Sequence, residues 1–440
     1  MSKTCIFPIG VLLSLLLIFG GCGQKAEQLV VGSDGYGKTV LSNGITVLVN
    51  HDATTSLTAA RILIGGGILT ESSANNGITN LMTRMLLKGN AEMTASEISG
   101  QLDYLGANVS ADCFRDYSTI SFTSLTENFD KVLEIITLSL ASATFPEDEL
   151  VKLKHEIEGN IKSSEDNQTQ ASDKLLWKTA YGDQGYGLPT LGTVESISNI
   201  SVDDIKSHYN KYVGGKNIIF SIASDLPPDR ISELVSEKLG NIKAEAETPP
   251  PPTLTLQPEK EGFISYDRNQ SFIFMGYFMD HLRAKEVPYV VLLNEIMGAN
   301  VGSRLWFLRQ DEKLAYSIYT QYLTDKYDAI FRAAIGTDTA KVIRALNSLD
   351  REMDKLVSEG ITESELADAR INMKNNLIYR IDRKAARANN MAYYEYIGYN
   401  YRFILDLIEM ADKISLEDIN TFIKEKFSED RRFTSIVGKK

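Results

Sequence analysis

The hexapeptide Ile-Ser-Val-Asp-Asp-Ile at positions 200–205 returns as Ile-Ser-Leu-Glu-Asp-Ile at positions 414–419, 214 residues later. Each copy sets a Ser three positions before an Asp, Ser201 with Asp204 and Ser415 with Asp418, a capping-box-like start to an amphipathic helix. At the same spacing a strand-like run follows each helix, Ser221-Ile222-Ala223 and Ser435-Ile436-Val437. A second pair, Phe145-Pro-Glu-Asp-Glu-Leu150 and Ile361-Thr-Glu-Ser-Glu-Leu366, opens a long helix in each copy. Between the copies stand Pro249 to Pro252, which fix φ and remove four backbone donors, so this stretch is an extended linker. A chain of 440 residues also exceeds what one core usually supports. The expected organisation is two homologous α+β domains, residues 39–246 and 259–440, joined by a proline-rich linker at 247–258.

Local patterns fill in the first copy. Thr46 to Val49, Ala59 to Ile64, Thr119 to Ser124 and Ile218 to Ala223 read as strands. Thr94 to Leu105 reads as a helix, with Thr94 and Glu97 as its capping box, Ile98, Leu102 and Leu105 as its buried stripe, and Gly106 as its stop.

The N-terminus reads as a targeting segment. Lys3 precedes an apolar run from Ile6 to Phe19, too short to span a bilayer comfortably, and Phe19-Gly20-Gly21-Cys22 is similar to a bacterial lipobox. Residues 1–21 are therefore expected to leave as a lipoprotein signal peptide, with Cys22 lipidated and residues 22–38 serving as a tether. Cys5 would depart with the signal and Cys22 would carry lipid, so Cys113 stands alone and no intrachain disulfide is possible. The expected location is the bacterial cell envelope, facing the periplasm; Gly23 in place of an Asp favours the outer membrane. The net charge of −12 comes without a basic block, which argues against nucleic-acid binding.

Several segments together resemble the pitrilysin, insulinase and mitochondrial processing peptidase family. In the first half these are Leu41-Ser-Asn43-Gly44-Ile-Thr-Val-Leu-Val, Gly65 to Gly67, Gly77-Ile-Thr-Asn80-Leu-Met-Thr83-Arg84-Met85-Leu-Leu-Lys88-Gly89, Leu105-Gly106-Ala-Asn108 and Leu191-Gly192-Thr193. In the second half they are Ser303-Arg304-Leu305, Arg309 and Leu314-Ala315-Tyr316. The resemblance implies two α/β sandwich domains in a clam-like chain. It also implies an inverted zinc motif, His-x-x-Glu-His, on one helix face, where two His hold zinc and the Glu takes a proton from bound water.

This sequence departs from that motif at every position. Asn80, Thr83 and Arg84 occupy the helix face, and the third-ligand position on the downstream helix falls on Asn160. The permanent cation of Arg84 would repel a dication. Only four His exist, at 51, 155, 208 and 281, and His155-x-x-Glu158-Gly159 lacks the second His. That near miss reads as an incidental pair on the solvated face of a helix from Glu147 to Glu165. No zinc is expected in this chain.

The family's second half supplies an Arg and a Tyr that polarise the scissile carbonyl, and these fall on Arg309 and Tyr316. The resemblance therefore implies a non-catalytic, substrate-binding subunit that donates Arg309 and Tyr316 to the zinc site of a homologous zinc-binding partner and acts on peptides. Asn108 to Asp112 corresponds to the edge where the family docks extended peptides. Two alternatives stay open: an inert binding or scaffold lipoprotein of the same fold, and a self-sufficient zinc peptidase, which would need ligands not visible here. Arg309 could equally pair with a carboxylate while Tyr316 packs in the core. Gly65 to Gly67 reads as a strand-end turn rather than a phosphate cradle, for want of a following Lys-Ser/Thr.

Overall fold

A computed structural model describes residues 29–299 and 301–439 of the chain. The expected signal peptide and Cys22 lie outside the described residues. The strands are β1 (Val30–Val31), β2 (Tyr36–Val40), β3 (Thr46–His51), β4 (Leu57–Gly65), β5 (Asn108–Cys113), β6 (Tyr117–Leu125) and β7 (Ile218–Ser224) in the first half. The second half contributes β8 (Glu261–Ser265), β9 (Gln270–Asp280), β10 (Ala315–Thr324), β11 (Asp328–Asp338) and β12 (Arg432–Gly438). They form two sheets, in the orders β1-β2-β3-β7-β4-β6-β5 and β10-β11-β9-β12-β8. Without β1 and β2 the two orders match strand for strand. The match extends to direction, since β3 with β7 and β8 with β12 are the parallel pairs and the other shared pairs are antiparallel.

The helices repeat in step. The first half has α1 (Ile78–Met85), α2 (Ala95–Tyr104), α3 (Phe129–Ala141), α4 (Glu147–Asp166), α5 (Gln168–Tyr181), α6 (Val194–Asn199), α7 (Val202–Tyr212) and α8 (Pro228–Leu239). The second has α9 (Val287–Asn294), α10 (Trp306–Gln310), α11 (Val342–Glu359), α12 (Glu363–Ile381), α13 (Lys384–Tyr396), α14 (Phe403–Asp412) and α15 (Leu416–Lys426). The repeated Ser–Asp pairs are capping boxes at the starts of α7 and α15, and Thr94 with Glu97 caps α2 in the same way. Each box satisfies backbone donors that the first helical turn would otherwise leave unpaired.

The halves interlock by exchanging a helix. α5 leaves the first half and packs on β9 and β12 of the second sheet, while α13 packs on β3, β4 and β7 of the first. The repeated strand serines make the matching bonds: Ser221 Oγ donates to the Ala388 carbonyl and Ser435 Oγ to the Ser172 carbonyl, both at 2.7 Å. Both serines are fully buried, so each hydroxyl needs such a partner. Each half has its own large core, and a third aromatic cluster bridges them, with Trp177, Tyr181 and Tyr186 packed against Phe274, Phe278 and Phe433.

The tether expected at 22–38 is corrected in its second part. Residues 30–38 form β1 and the start of β2, an antiparallel hairpin that pairs Val30 with Lys38 and continues the sheet through β3. The cause is local: Asp34-Gly35 puts a left-handed glycine, φ 81°, between apolar runs, and Tyr36 is buried against Leu48 and Met391. The proline stretch is extended, and it lies on the molecule. Leu254 and Leu256 pack on the Trp177 cluster, and Gln257 N–H donates to the Ala180 carbonyl at 2.8 Å.

Candidate functional site

α1 is short and amphipathic, and it starts at Gly77, whose φ of 97° only glycine adopts freely. Its first turn is held by Glu71, whose Oε2 accepts from Gly77 N–H at 2.8 Å and whose Oε1 accepts from Thr79 N–H at 2.9 Å. A carboxylate at a helix N-terminus is favoured by the exposed amides, yet burial pushes the Glu71 carboxyl above its ordinary range. Behind α1, His208 on α7 places Nε2 3.0 Å from Thr79 Oγ1. Burial drives its imidazole down to about 4, so it sits neutral inside the protein.

One face of α1 carries the three residues singled out in the sequence. Asn80 and Thr83 are buried; Thr83 Oγ1 donates to the Thr79 carbonyl at 2.7 Å, and Asn80 Nδ2 has no hydrogen-bond partner among the described residues. Arg84 reaches across to α4 and bonds Glu156 Oε1 at 2.5 Å. Asn160, one turn further along α4, is exposed. The guanidinium thus ties α1 to α4 through Glu156, a residue the sequence reading passed over. The available signal was its place four residues before Asn160, on the same helix face.

In the second half α10 and β10 are joined by a tight turn, with Lys313 at φ 51° and Leu314 N–H bonded to the Leu308 carbonyl at 2.9 Å. Leu308 and Leu314 are buried and fix the turn, while Arg309 and Tyr316 point outward. Tyr316 is 56% exposed and sits where the β10–β11 register slips, between the Ala315–Thr337 and Ser317–Gly336 pairs. Such a bulge on an edge strand re-aims a side chain. Arg309 stacks its guanidinium 5.0 Å from the Trp306 ring, and among the described residues it forms no ion pair. Among the described residues no carboxylate pairs with Arg309, and Tyr316 lies outside the core. β5, the strand singled out for peptide docking, is an edge of the first sheet.

Residues 46–194 match the family described as Insulinase (Peptidase family M16), and residues 199–373 match the Peptidase M16 inactive domain. The chain belongs to the M16 peptidase family. Among its M16 relatives is an uncharacterized zinc protease YmxG of Bacillus subtilis, 24% identical over 394 residues that cover 88% of this chain and 95% of that one. A second is called non-peptidase homolog YmxG in Helicobacter pylori, 23% identical, covering 86% and 88% of the two chains. A crystal structure of a protease from Helicobacter pylori shares the M16 fold, with a TM-score of 0.85 at 19% identity, covering 92% of this chain and 99% of that one.

Zinc is the metal that M16 membership implies, and the side chains here do not fit it. An amide, a hydroxyl and a guanidinium offer none of the imidazole, thiolate or carboxylate donors zinc takes, and the guanidinium is itself a fixed cation. Among the described residues no group of three or more His, Cys, Asp and Glu could hold a metal ion. His155 on α4 is exposed and lies 3.7 Å from Glu158, an ordinary surface pair.

Proposed function

We propose that this M16 chain is the non-catalytic subunit of a heteromeric zinc endopeptidase, holding peptide and lending Arg309 and Tyr316 to the zinc site of a homologous partner. The supporting observation is the outward, internally unpaired setting of Arg309 and Tyr316 in a chain whose own zinc-site face is closed by Arg84 and Glu156. A guanidinium and a phenol placed at a developing oxyanion stabilise the tetrahedral transition state of peptide hydrolysis. The edge strand β5 offers unpaired backbone groups to which an extended peptide can add. Cys22 would anchor the subunit by lipid at the envelope, facing the periplasm.

The test pairs the purified chain with a homologous chain that keeps His-x-x-Glu-His. The mixture should cleave peptides that neither chain cleaves alone, and zinc should follow the partner in mass spectrometry. Cleavage by the partner at the same rate without this chain would leave it only a scaffold role. For the anchor, wild-type cells should incorporate labelled fatty acid into the protein and Cys22→Ala cells should not.

A further inference from the structure

The duplicated hairpins meet tip to tip where the two halves join. The β5–β6 turn carries Arg115-Asp116 and the β10–β11 turn carries Asp325-Lys326. Asp116 is 1% exposed, and its Oδ2 accepts from Lys326 N–H at 2.6 Å, which sets the first carboxylate against the residue next to the second. Asp116 Oδ1 accepts from Tyr186 O–H. Asp325 Oδ2 is buried and has no hydrogen-bond partner among the described residues, although a buried carboxylate oxygen is costly to leave unpaired.

The nearby cations make their direct contacts elsewhere and reach the two carboxylates only through space, where they partly offset the effect of burial. Arg115 lies 3.6 Å over the Trp177 ring, Lys326 Nζ lies 4.2 Å from the Tyr396 ring, and Arg332 pairs with Asp173. Among the described residues neither Asp116 nor Asp325 forms an ion pair. The other titratable groups at the junction are Asp328, bonded by Tyr181 O–H, and the phenols of Tyr117, Tyr393 and Tyr396. His281 places Nδ1 3.4 Å from the Asp325 carbonyl oxygen. Burial first, then the charge of Asp116, lifts the Asp325 carboxyl to about 7. Burial raises Asp116 as well.

We propose that Asp116 and Asp325 form a proton-operated latch between the two halves: with one proton on the pair the hairpin tips stay docked, and with both carboxylates charged they part. The tips border an open cavity of about 690 Å³ lined by Arg115, Asp325, Arg380 and Tyr393, so parting would extend that space inward between the two hairpins. The sign follows from linkage. Solvent exposure returns Asp325 to ordinary carboxylate behaviour, so opening becomes easier as pH rises from that range to about 7 and then levels off.

Amide hydrogen exchange on the full chain, read in peptides covering 114–118 and 324–329 and corrected for intrinsic exchange, tests this. The wild-type opening constant should rise about a hundredfold between about pH 5 and about pH 8. Asp325→Asn should stay closed at both, and His281→Gln should keep the wild-type response. A wild-type junction indifferent to pH, an unchanged response in Asp325→Asn, or its loss in His281→Gln would each overturn the latch. Should Asp325→Asn misfold, infrared spectra of the wild type carry the test. A protonated-carboxyl band should persist to about pH 6, and its absence there is equally fatal.

Discussion

The α1–α4 face of the first half and the α10–β10 face of the second stand on matching scaffolds and have opposite chemistry. The first is closed on itself: Thr83 bonds its own helix and Arg84 is committed to Glu156. The second is open: Tyr316 is displaced outward by a bulge, and Arg309 rests on a tryptophan and forms no ion pair among the described residues. What the two halves preserve is the interlock, where Ser221 and Ser435 make the same bond to an exchanged helix. The scaffold demands those serines and leaves the outer faces free to diverge, which is how one fold hosts different chemistry.

The largest effect should come from breaking what the halves share. Trp177 is buried in the bridging cluster, edge-on to Tyr186 and Phe278 and under the Arg115 guanidinium. Trp177→Ala should cost about 3–5 kcal/mol in denaturant unfolding. Because α5 lies on the second sheet, both halves should still unfold in one transition. Two separated transitions would mean that the halves are independent. Next in size is the open face. Arg309→Ala or Tyr316→Phe should lower kcat/KM of the two-chain mixture by about a hundredfold to a thousandfold, roughly 3–4 kcal/mol. Stability should stay within about 0.5 kcal/mol, as for other exposed positions.

Much of the shared scaffold was legible in the sequence because it is written locally. Capping boxes, strand alternation and the Ser-Ile-Ala and Ser-Ile-Val repeats involve residues a few positions apart. Which sheet α5 and α13 cover was not legible, since that depends on distant surfaces, 167 positions apart at the Ser221–Ala388 contact and 263 at Ser172–Ser435, with no local signature. The hairpin at Val30 to Val40 did carry a signal, Asp34-Gly35 between apolar runs, but proximity to the expected signal peptide made it read as tether. At the site, the residue types on α1 and at Arg309 and Tyr316 could be listed from the sequence. The Arg84–Glu156 bond could not: the place of Glu156 on the Asn160 face was visible, but pairing it with a charge 72 positions away takes the packing of α1 on α4.

A smaller, pH-dependent effect sharpens the contrast behind the closed face. His208 is buried neutral, and its folded pKa of about 4 lies below the ordinary imidazole value. The unfolded chain therefore binds more protons between about pH 4 and pH 6.5, so this group's contribution to stability is lost as pH falls through that window. The ceiling is about 3 kcal/mol. Replacing the ring by His208→Asn should flatten that part of the stability profile in thermal melts across the window. The Asp325 contribution has the opposite slope, falling as pH rises through nearly the same range. Asp325→Asn should therefore steepen the His208 slope, and the double variant should leave little of either.

The smallest effect is expected at Arg84. Its side chain is 25% exposed and that of Glu156 is 52% exposed, so solvent screens the pair despite its short contact. A double-mutant cycle with Arg84→Ala and Glu156→Ala should give a coupling of about 0.5 kcal/mol, with a further small loss from the aliphatic stem of Arg84. Cleavage by the two-chain mixture should not change. If Arg84→Ala slowed cleavage as much as Arg309→Ala, the first-half face would touch substrate and would not be closed. Asn80→His in the otherwise wild-type chain should bind no zinc, because one imidazole beside a hydroxyl and an unmoved guanidinium is still not a tetrahedral donor set.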